Sequence, residues 1–482
     1  MLPVELYAEI AGWLPSKDTH VMLGVSRQLH DVALRLIFRT IRIYFMFGVH
    51  GSDMLHTESN RYVQETSDFC SNRSWEVLQH IIATPSFARV VKTLSVHAFT
   101  DGPQIYEHRT LSLALKSMHN LHSLYYHGQN PSFEKVAASV PPSVRYLCLQ
   151  SYLCLQSMPD PQLLSHLHQL QWLQATTPFL YVRDQKLDRI FAECTYDLGD
   201  PHDIVVVLNS NPVRQLSVLA THLPLLPIWL YSNLTVLDIC VTDWEIVGME
   251  LLFRHAVQLR ELSLVGYIEP SFFPHLPADP ETLPNLTSFR LSCELWDEEA
   301  VEVSIAPYLV AFLERRVDLE RLYIRLPGIS LPFALILATA IAKLQRLRVL
   351  GFHIGYEPLH EAAAHQLAGH FSTHLQALHL VLPWMNELHV RTWYPLLAKL
   401  QRLEDLSFLS LFSSGEDPVP IHPMELATDL PRLRLVGLQR SLFTIDRDAE
   451  DWEPKLWTPW KVKYCIREDF ESEDHWWLFR YH

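Results

Sequence analysis

The chain has 482 residues, of which 48% are hydrophobic and 19% charged, with a formal net charge of −15. Such a composition supports a large buried core and excludes global disorder. The acidic balance opposes a nucleic-acid backbone or an anionic membrane as the main partner. The seven cysteines (Cys70, Cys148, Cys154, Cys194, Cys240, Cys293 and Cys465) are scattered and form no CxxC pair. Their odd number and spacing favour reduced thiols, as in the cytoplasm or nucleus, over a secreted disulfide framework.

The opening stretch, MLPVELYAEIAGWLP, places Leu6, Ile10, Trp13 and Leu14 on one helix face. It has no Lys or Arg before residue 17, and Glu5 and Glu9 interrupt its apolar run, so it does not read as a secretion signal. Pro3 suits a first helical turn, and Pro15 disfavours helix at the residue before it. SKDTHVMLGV predicts a short second helix with Val21, Met22 and Val25 inward. SRQLHDVALRLIF predicts a third, striped by Leu29, Val32, Ala33, Leu36 and Ile37. Three helices in so short a span make a marginal core that leans on something else.

These residues resemble an F-box: LP-x-E-L at 2–6, Ile10, Leu14-Pro15, V-S-R at 25–27 and the closing Leu36-Ile37-Phe38. Thr19, where the family usually has leucine, and Leu29-His30, in place of an aromatic, depart from the pattern. The resemblance covers residues 1–38, within a module taken as 1–45, and implies a partner: the small Skp adaptor of cullin–RING ubiquitin ligases. By carry-over, Leu2, Pro3, Leu6, Ile10 and Val25 face the adaptor. The competing reading is that they pack against the rest of the chain.

RTIRIYF (39–45) alternates like a strand, with Ile41, Ile43 and Phe45 on one face. Residues 48–72, polar and rich in Gly, Ser and Asn, read as a loop, and SWEVLQHIIATP (74–85) reads as a helix. Residues 46–90 are thus expected to link the helical module to a repeat array beginning at residue 91 and to cap that array.

From residue 91 the pattern L-x-x-L-x-L recurs thirteen times, beginning at residues 91, 121, 144, 170, 213, 234, 259, 286, 319, 347, 375, 403 and 433. The mean step is near 28.5 residues, within the period of leucine-rich repeats. The motif's first, fourth and sixth positions point into a core from a short strand, and stacking buries what one repeat cannot bury alone. The family's asparagine or cysteine, eight positions after the first leucine, is absent throughout, so an irregular solenoid is expected over 91–440, with an insertion across 176–212. PYLVAFLERR (307–316) and PFALILATAIAKL (332–344) read as return helices that each begin at a proline. The fold class is therefore α/β: a three-helix F-box, then a horseshoe of strand–helix repeats. F-box followed by irregular leucine-rich repeats resembles a family abundant in fungi. The tail at 441–482 packs Trp452, Trp457, Trp460, Trp476 and Trp477 among acids, and reads as a cap for the last repeat or, failing that, a partner peptide.

No catalytic motif emerges. HEAAAHQLAGHFSTH (360–374) separates His360 and His365 by five, not the four of a zinc-protease helix, and His370 with His374 lack a third ligand. No phosphate-cradling glycine motif occurs, and no membrane span: the greasiest stretch, 331–344, is too short. Neither a metal nor a cofactor is expected.

The expected role is substrate recognition in a ubiquitin ligase, with the adaptor at the F-box and a target protein on the concave strand face. The outward positions there include Tyr125, His127, Tyr146 and Trp172, and further on Arg290, Arg321, Tyr323 and Arg325. Aromatics and arginines are common interface anchors. The arginines would suit an acidic or phosphorylated segment, though they would equally pair with neighbouring acids. The alternative is a leucine-rich-repeat scaffold with no ligase role, which would bury Leu6 and Ile10 within the chain.

Overall fold

In a computed structural model of the chain, the structure describes residues 4–12, 14, 16–48, 60–101, 105–150, 161–174, 202–241, 246–266, 268–293, 299–326, 329–355, 361–382, 396, 398–413, 419, 421–447 and 452–480. These fall into two compact units, one reaching Leu216 and the other running from Ser217 onward. Both are α/β, built of parallel strands joined by helical returns, as leucine-rich repeats would have it.

The first unit begins with three helices at the expected places: α1 (Val4–Gly12), α2 (Ser16–Met22) and α3 (Arg27–Ile37). The Ser26 hydroxyl caps α3 by accepting from the Leu29 amide at 3.2 Å. Both other helices pack on α3, whose Val32 and Ala33 are buried with Ala11 and Thr19. Small side chains at this contact let the helices approach closely. The chain passes from α3 almost directly into β1 (Thr40–Phe45), whose Ile41, Ile43 and Phe45 are buried as the alternation predicts. The expected loop at 48–72 is in part a correction: residues 60–72 belong to a long helix, Asn60–Ala83. Its polar letters mislead because Ser67 and Ser71 are buried, where the Ser67 hydroxyl donates to the Met46 carbonyl and the Ser71 hydroxyl accepts from the Met46 amide.

Parallel strands β2 (Thr93–Phe99), β3 (Ser123–Asn130), β4 (Tyr146–Gln150) and β5 (Trp172–Gln174) follow β1 in chain order. Most of the expected insertion at 176–212 lies outside the described residues, and its end forms the helix His202–Asn209. Strand β6 (Gln215–Leu219) contains the division between the units.

In the second unit β7 (Val236–Val241), β8 (Glu261–Gly266), β9 (Ser288–Cys293), β10 (Arg321–Arg325), β11 (Val349–His353), β12 (Ala377–Leu382), β13 (Phe408–Ser413) and β14 (Leu435–Leu438) pair in parallel, each with the next. Twelve of the thirteen motifs fall on strands in the frame read from the sequence. The one at 403 is three residues early: Leu406, Leu409 and Leu411 are the core positions of β13. The misreading arises because Phe408 resembles a sixth-position core residue, whereas it lies on the outward row, paired with Ala377. A second correction concerns 307–316. That helix starts at Glu299, eight residues before Pro307.

The missing asparagine ladder has a substitute. The carbonyl just after each repeat's first core residue accepts two amides from the following repeat. The Arg39 carbonyl accepts Lys92 and Thr93 at 2.8 and 3.0 Å, and the pattern runs to Gln171 in the first unit. It runs from Thr235 to Ser407 in the second, where the Ser407 carbonyl takes Arg434 and Leu435 at 2.8 and 3.1 Å.

At the end of β8, Gly266 has φ +133 and leaves no room for a Cβ against the Val241 carbonyl. Gly266→Ala is expected to destabilise the second unit by about 1–3 kcal/mol. A urea midpoint equal to that of the unsubstituted chain would remove this role for the glycine.

Candidate functional site

Two surfaces carry the functional expectations. The first is on the three-helix module. Leu6 is 42% exposed, Ile10 54%, and Val21 and Val25 62% each. The inward placement expected of Val21 and Val25 is thus a correction: α2 ends at Met22, and its contact with α3 is made on other positions. Leu14 is also exposed, while Leu2 and Pro3 lie outside the described residues. Of the five positions expected to face an adaptor, Leu6, Ile10 and Val25 are therefore open.

The second surface is the outward face of the strands. In the first unit Tyr125, Tyr146 and Trp172 come together on β3, β4 and β5, with ring centroids 6.0–6.1 Å apart in edge-on pairs around Trp172. Tyr125 and Trp172 are buried and Tyr146 half-buried, so the expected open aromatic anchors are instead packed. Beside them Tyr44, His97 and His127 stack in a ladder, with centroids 4.6 and 4.7 Å apart. Burial, then the charges of His127 and Arg42, hold His97 well below the usual histidine range.

In the second unit the outward face is covered by the chain's own tail. After β14 the chain turns into β15 (Ser441–Thr444) and β16 (Lys455–Leu456), each antiparallel to its predecessor. It ends in a helix, Glu473–Phe479, that packs on β11 and β12. The Ser472 hydroxyl caps this helix. Trp457, Phe470, Trp477, Leu478 and Phe479 bury themselves against Tyr323, Val349, Ala377, Phe408 and Leu435. The tail is therefore more than an end cap for the last repeat.

Arg290, Arg321 and Tyr323, expected to be open to a target, are instead engaged by the tail. Arg290 is 1% exposed and its guanidinium lies between the rings of Tyr323 and Trp477, 4.3 and 4.6 Å from their centroids. It donates to the carbonyls of Trp477 and Leu478, the last turn of the tail helix, where a cation is favoured. Arg321 donates to Asp474 at 2.7 Å, and Arg348 also pairs with Asp474, in the first turn. Arg480 closes the other end against Asp238 and Glu261. Tyr323 is buried, with room for its ring only because Gly351 beside it has no side chain. Arg325 remains half-buried.

Residues the sequence reading passed over, namely Asp238, Glu261, Arg348, Asp474 and Arg480, thus organise this surface. One signal for them was legible. Val349, Ala377 and Leu435 share one outward motif position and are apolar where a solvated strand face would be polar, and the observed register adds Phe408 to their row.

Among the described residues no group of three or more His, Cys, Asp or Glu is placed to hold a metal ion. His360 lies outside them. His365 is exposed and 4.0 Å from Glu361, as on a solvated helix face. Also among the described residues, no helix is long and apolar enough to cross a membrane.

No protein-family model matches the sequence, and no curated protein matches it either. Among solved structures the chain is similar to one described as the crystal structure of a TLR13–ssRNA13 complex, at 14% identity and a TM-score of 0.25, covering 74% of this chain. The match spans 41% of that chain's length.

Two histidines tie this surface to pH. His475 on the tail helix is buried, meets the Ser407 hydroxyl at 2.8 Å, and is held down to about 4 by burial and then by Arg434. His379 on β12 meets the Ser410 hydroxyl at 2.9 Å and is held down to about 3 by burial, then by Arg290 and Arg325. Both folded values lie below the unfolded value of 6.5. Their neutral forms therefore stabilise the fold fully above about pH 6.5, and that stability is lost as pH falls towards the folded values. At pH 5 each is expected to cost about 2 kcal/mol relative to neutral pH. Urea unfolding at pH 7 and pH 5 checks this: in His475→Gln the loss should shrink by about that amount, and an unchanged loss would refute the assignment.

Proposed function

We propose that the chain is a substrate-recognition subunit of a Skp–cullin–F-box ubiquitin ligase. In this reading the three-helix module binds the Skp adaptor and the repeats hold a target protein. The observation that carries it is the exposure of Leu6, Ile10 and Val25, the F-box positions expected to face the adaptor. A scaffold that used these helices only as a cap would bury them. Several exposed apolar side chains on so small a module are costly in water and mark a partner. Each contributes roughly 1.5–3 kcal/mol when fully buried, so a few anchor a stable contact. Val21 and Leu14 extend the same apolar character.

The chain's contribution is proximity. It raises the effective concentration of a target lysine near the charged ubiquitin carrier, while the bond-making chemistry belongs to other subunits. The reading places the protein in the cytoplasm or nucleus, where such ligases act. The alternative is a leucine-rich-repeat scaffold with no ligase role.

Co-expression with a Skp adaptor separates the two. The intact chain should co-purify with the adaptor at one to one. A Leu6→Asp, Ile10→Asp double variant should lose the adaptor while keeping its circular dichroism spectrum and thermal midpoint, because both side chains are exposed. An intact chain that captures no adaptor would sink the ligase reading and leave the scaffold.

A further inference from the structure

The strand face beneath the tail is divided into zones. Asp238 and Glu261 on β7 and β8 form an acidic end. Arg290 on β9, Arg321 on β10 and Arg348 just before β11 form a basic middle. Val349, Ala377, Phe408 and Leu435, on β11 to β14, form an apolar stretch. The tail answers each zone. Arg480 meets the acids, Asp474 and the carbonyls of Trp477 and Leu478 meet the arginines, and the aromatic cluster covers the apolar stretch.

This contact is built like an interface between partners. Its polar groups complement one another across it, whereas a repeat core is apolar. It is also imperfectly matched. Asp238 Oδ1, Ser263 Oγ and Trp477 Nε1 are buried and find no hydrogen-bond partner among the described residues. Register places Asp238 next to Ser263 and Ser263 next to Arg290, so two of these atoms lie on the row that carries the arginine under Trp477.

We propose that the strand face of the second unit is a receptor site for a short amphipathic helix, with residues 472–480 as its resident ligand in cis. The target of the subunit supplies a helix of the same chemistry in trans: an acid in the first turn, an aromatic and aliphatic cluster in the second, and a basic residue after it. This rests on the reading of the repeats as the target-binding part. A tethered tail competes at an effective concentration in the millimolar range, so a free helix enters only where it binds better or the tail is weakened.

The test uses the full-length chain and a fluorescein-labelled peptide of residues 470–482. Asp474→Lys in the chain removes the tail's pairs with Arg321 and Arg348 and leaves the sheet face unchanged. This variant should bind the peptide at least tenfold more tightly than the unsubstituted chain does, and should discriminate against a peptide that itself carries Asp474→Lys. A folded variant that binds no better, or takes both peptides alike, overturns the proposal. Should the variant not fold, hydrogen exchange on the unsubstituted chain decides. Amides of Trp476 to Arg480 should open at lower free energy than those of β9 to β11, and exchange only together with those strands would overturn it. Neither measurement involves the adaptor. A chain that takes the peptide but not the adaptor keeps this site and loses the ligase reading. The reverse keeps the ligase reading and discards the site.

Discussion

Everything in the repeats depends on one backbone device, the carbonyl that accepts two amides from the next repeat just before each strand. It sets the register of each strand on its neighbour within a unit, and so lines the outward side chains up in rows. A repeat of this kind has no stable fold alone, since its leucines are covered and its strand edge is paired only by the next repeat. Position along the chain therefore becomes position across the sheet. Asp238, Ser263, Arg290 and Tyr323, spread over 86 residues of sequence, fall on one row because the ladder permits no slip between β7 and β10.

The fold was legible where it repeats. Leucines three and two apart mark the strands because the inward positions tolerate little else, and the alternation of Ile41, Ile43 and Phe45 places β1 before the first full motif. Legibility failed where the same letter serves two faces. Phe408 suits the core pattern but belongs to the outward row, since the surface it faces is the tail and not water. It failed again at Ser67 and Ser71, polar residues of a helix that bury their hydroxyls against backbone and so resemble a loop in composition.

The functional surfaces divide along the same line. The module's three helices were readable because the contacts that define them are local, but Val21 and Val25, expected inward, are exposed, since α2 meets α3 on other positions. The tail was not readable. Arg290 and Trp477 are 187 residues apart, and no periodicity links them. The arginines are legible as groups that suit an acidic partner or neighbouring acids. That the acid is Asp474 of the tail is not legible, because nothing local shows that the chain returns.

The charges on that return are better explained by orientation than by stability. Arg321, Asp474, Glu261 and Arg480 are nearly buried, and burying such groups costs much of what their attraction returns. The apolar row alone holds a greasy helix, but it does so in either direction and at several offsets. Acids at one end, guanidiniums in the middle and an aromatic ring on each side of Arg290 admit one direction and one offset. An Asp474 placed one turn away loses both arginines, and a reversed helix sets its own basic end against Arg321. A face that specifies its occupant this closely has the properties of a recognition surface, whichever chain supplies the helix.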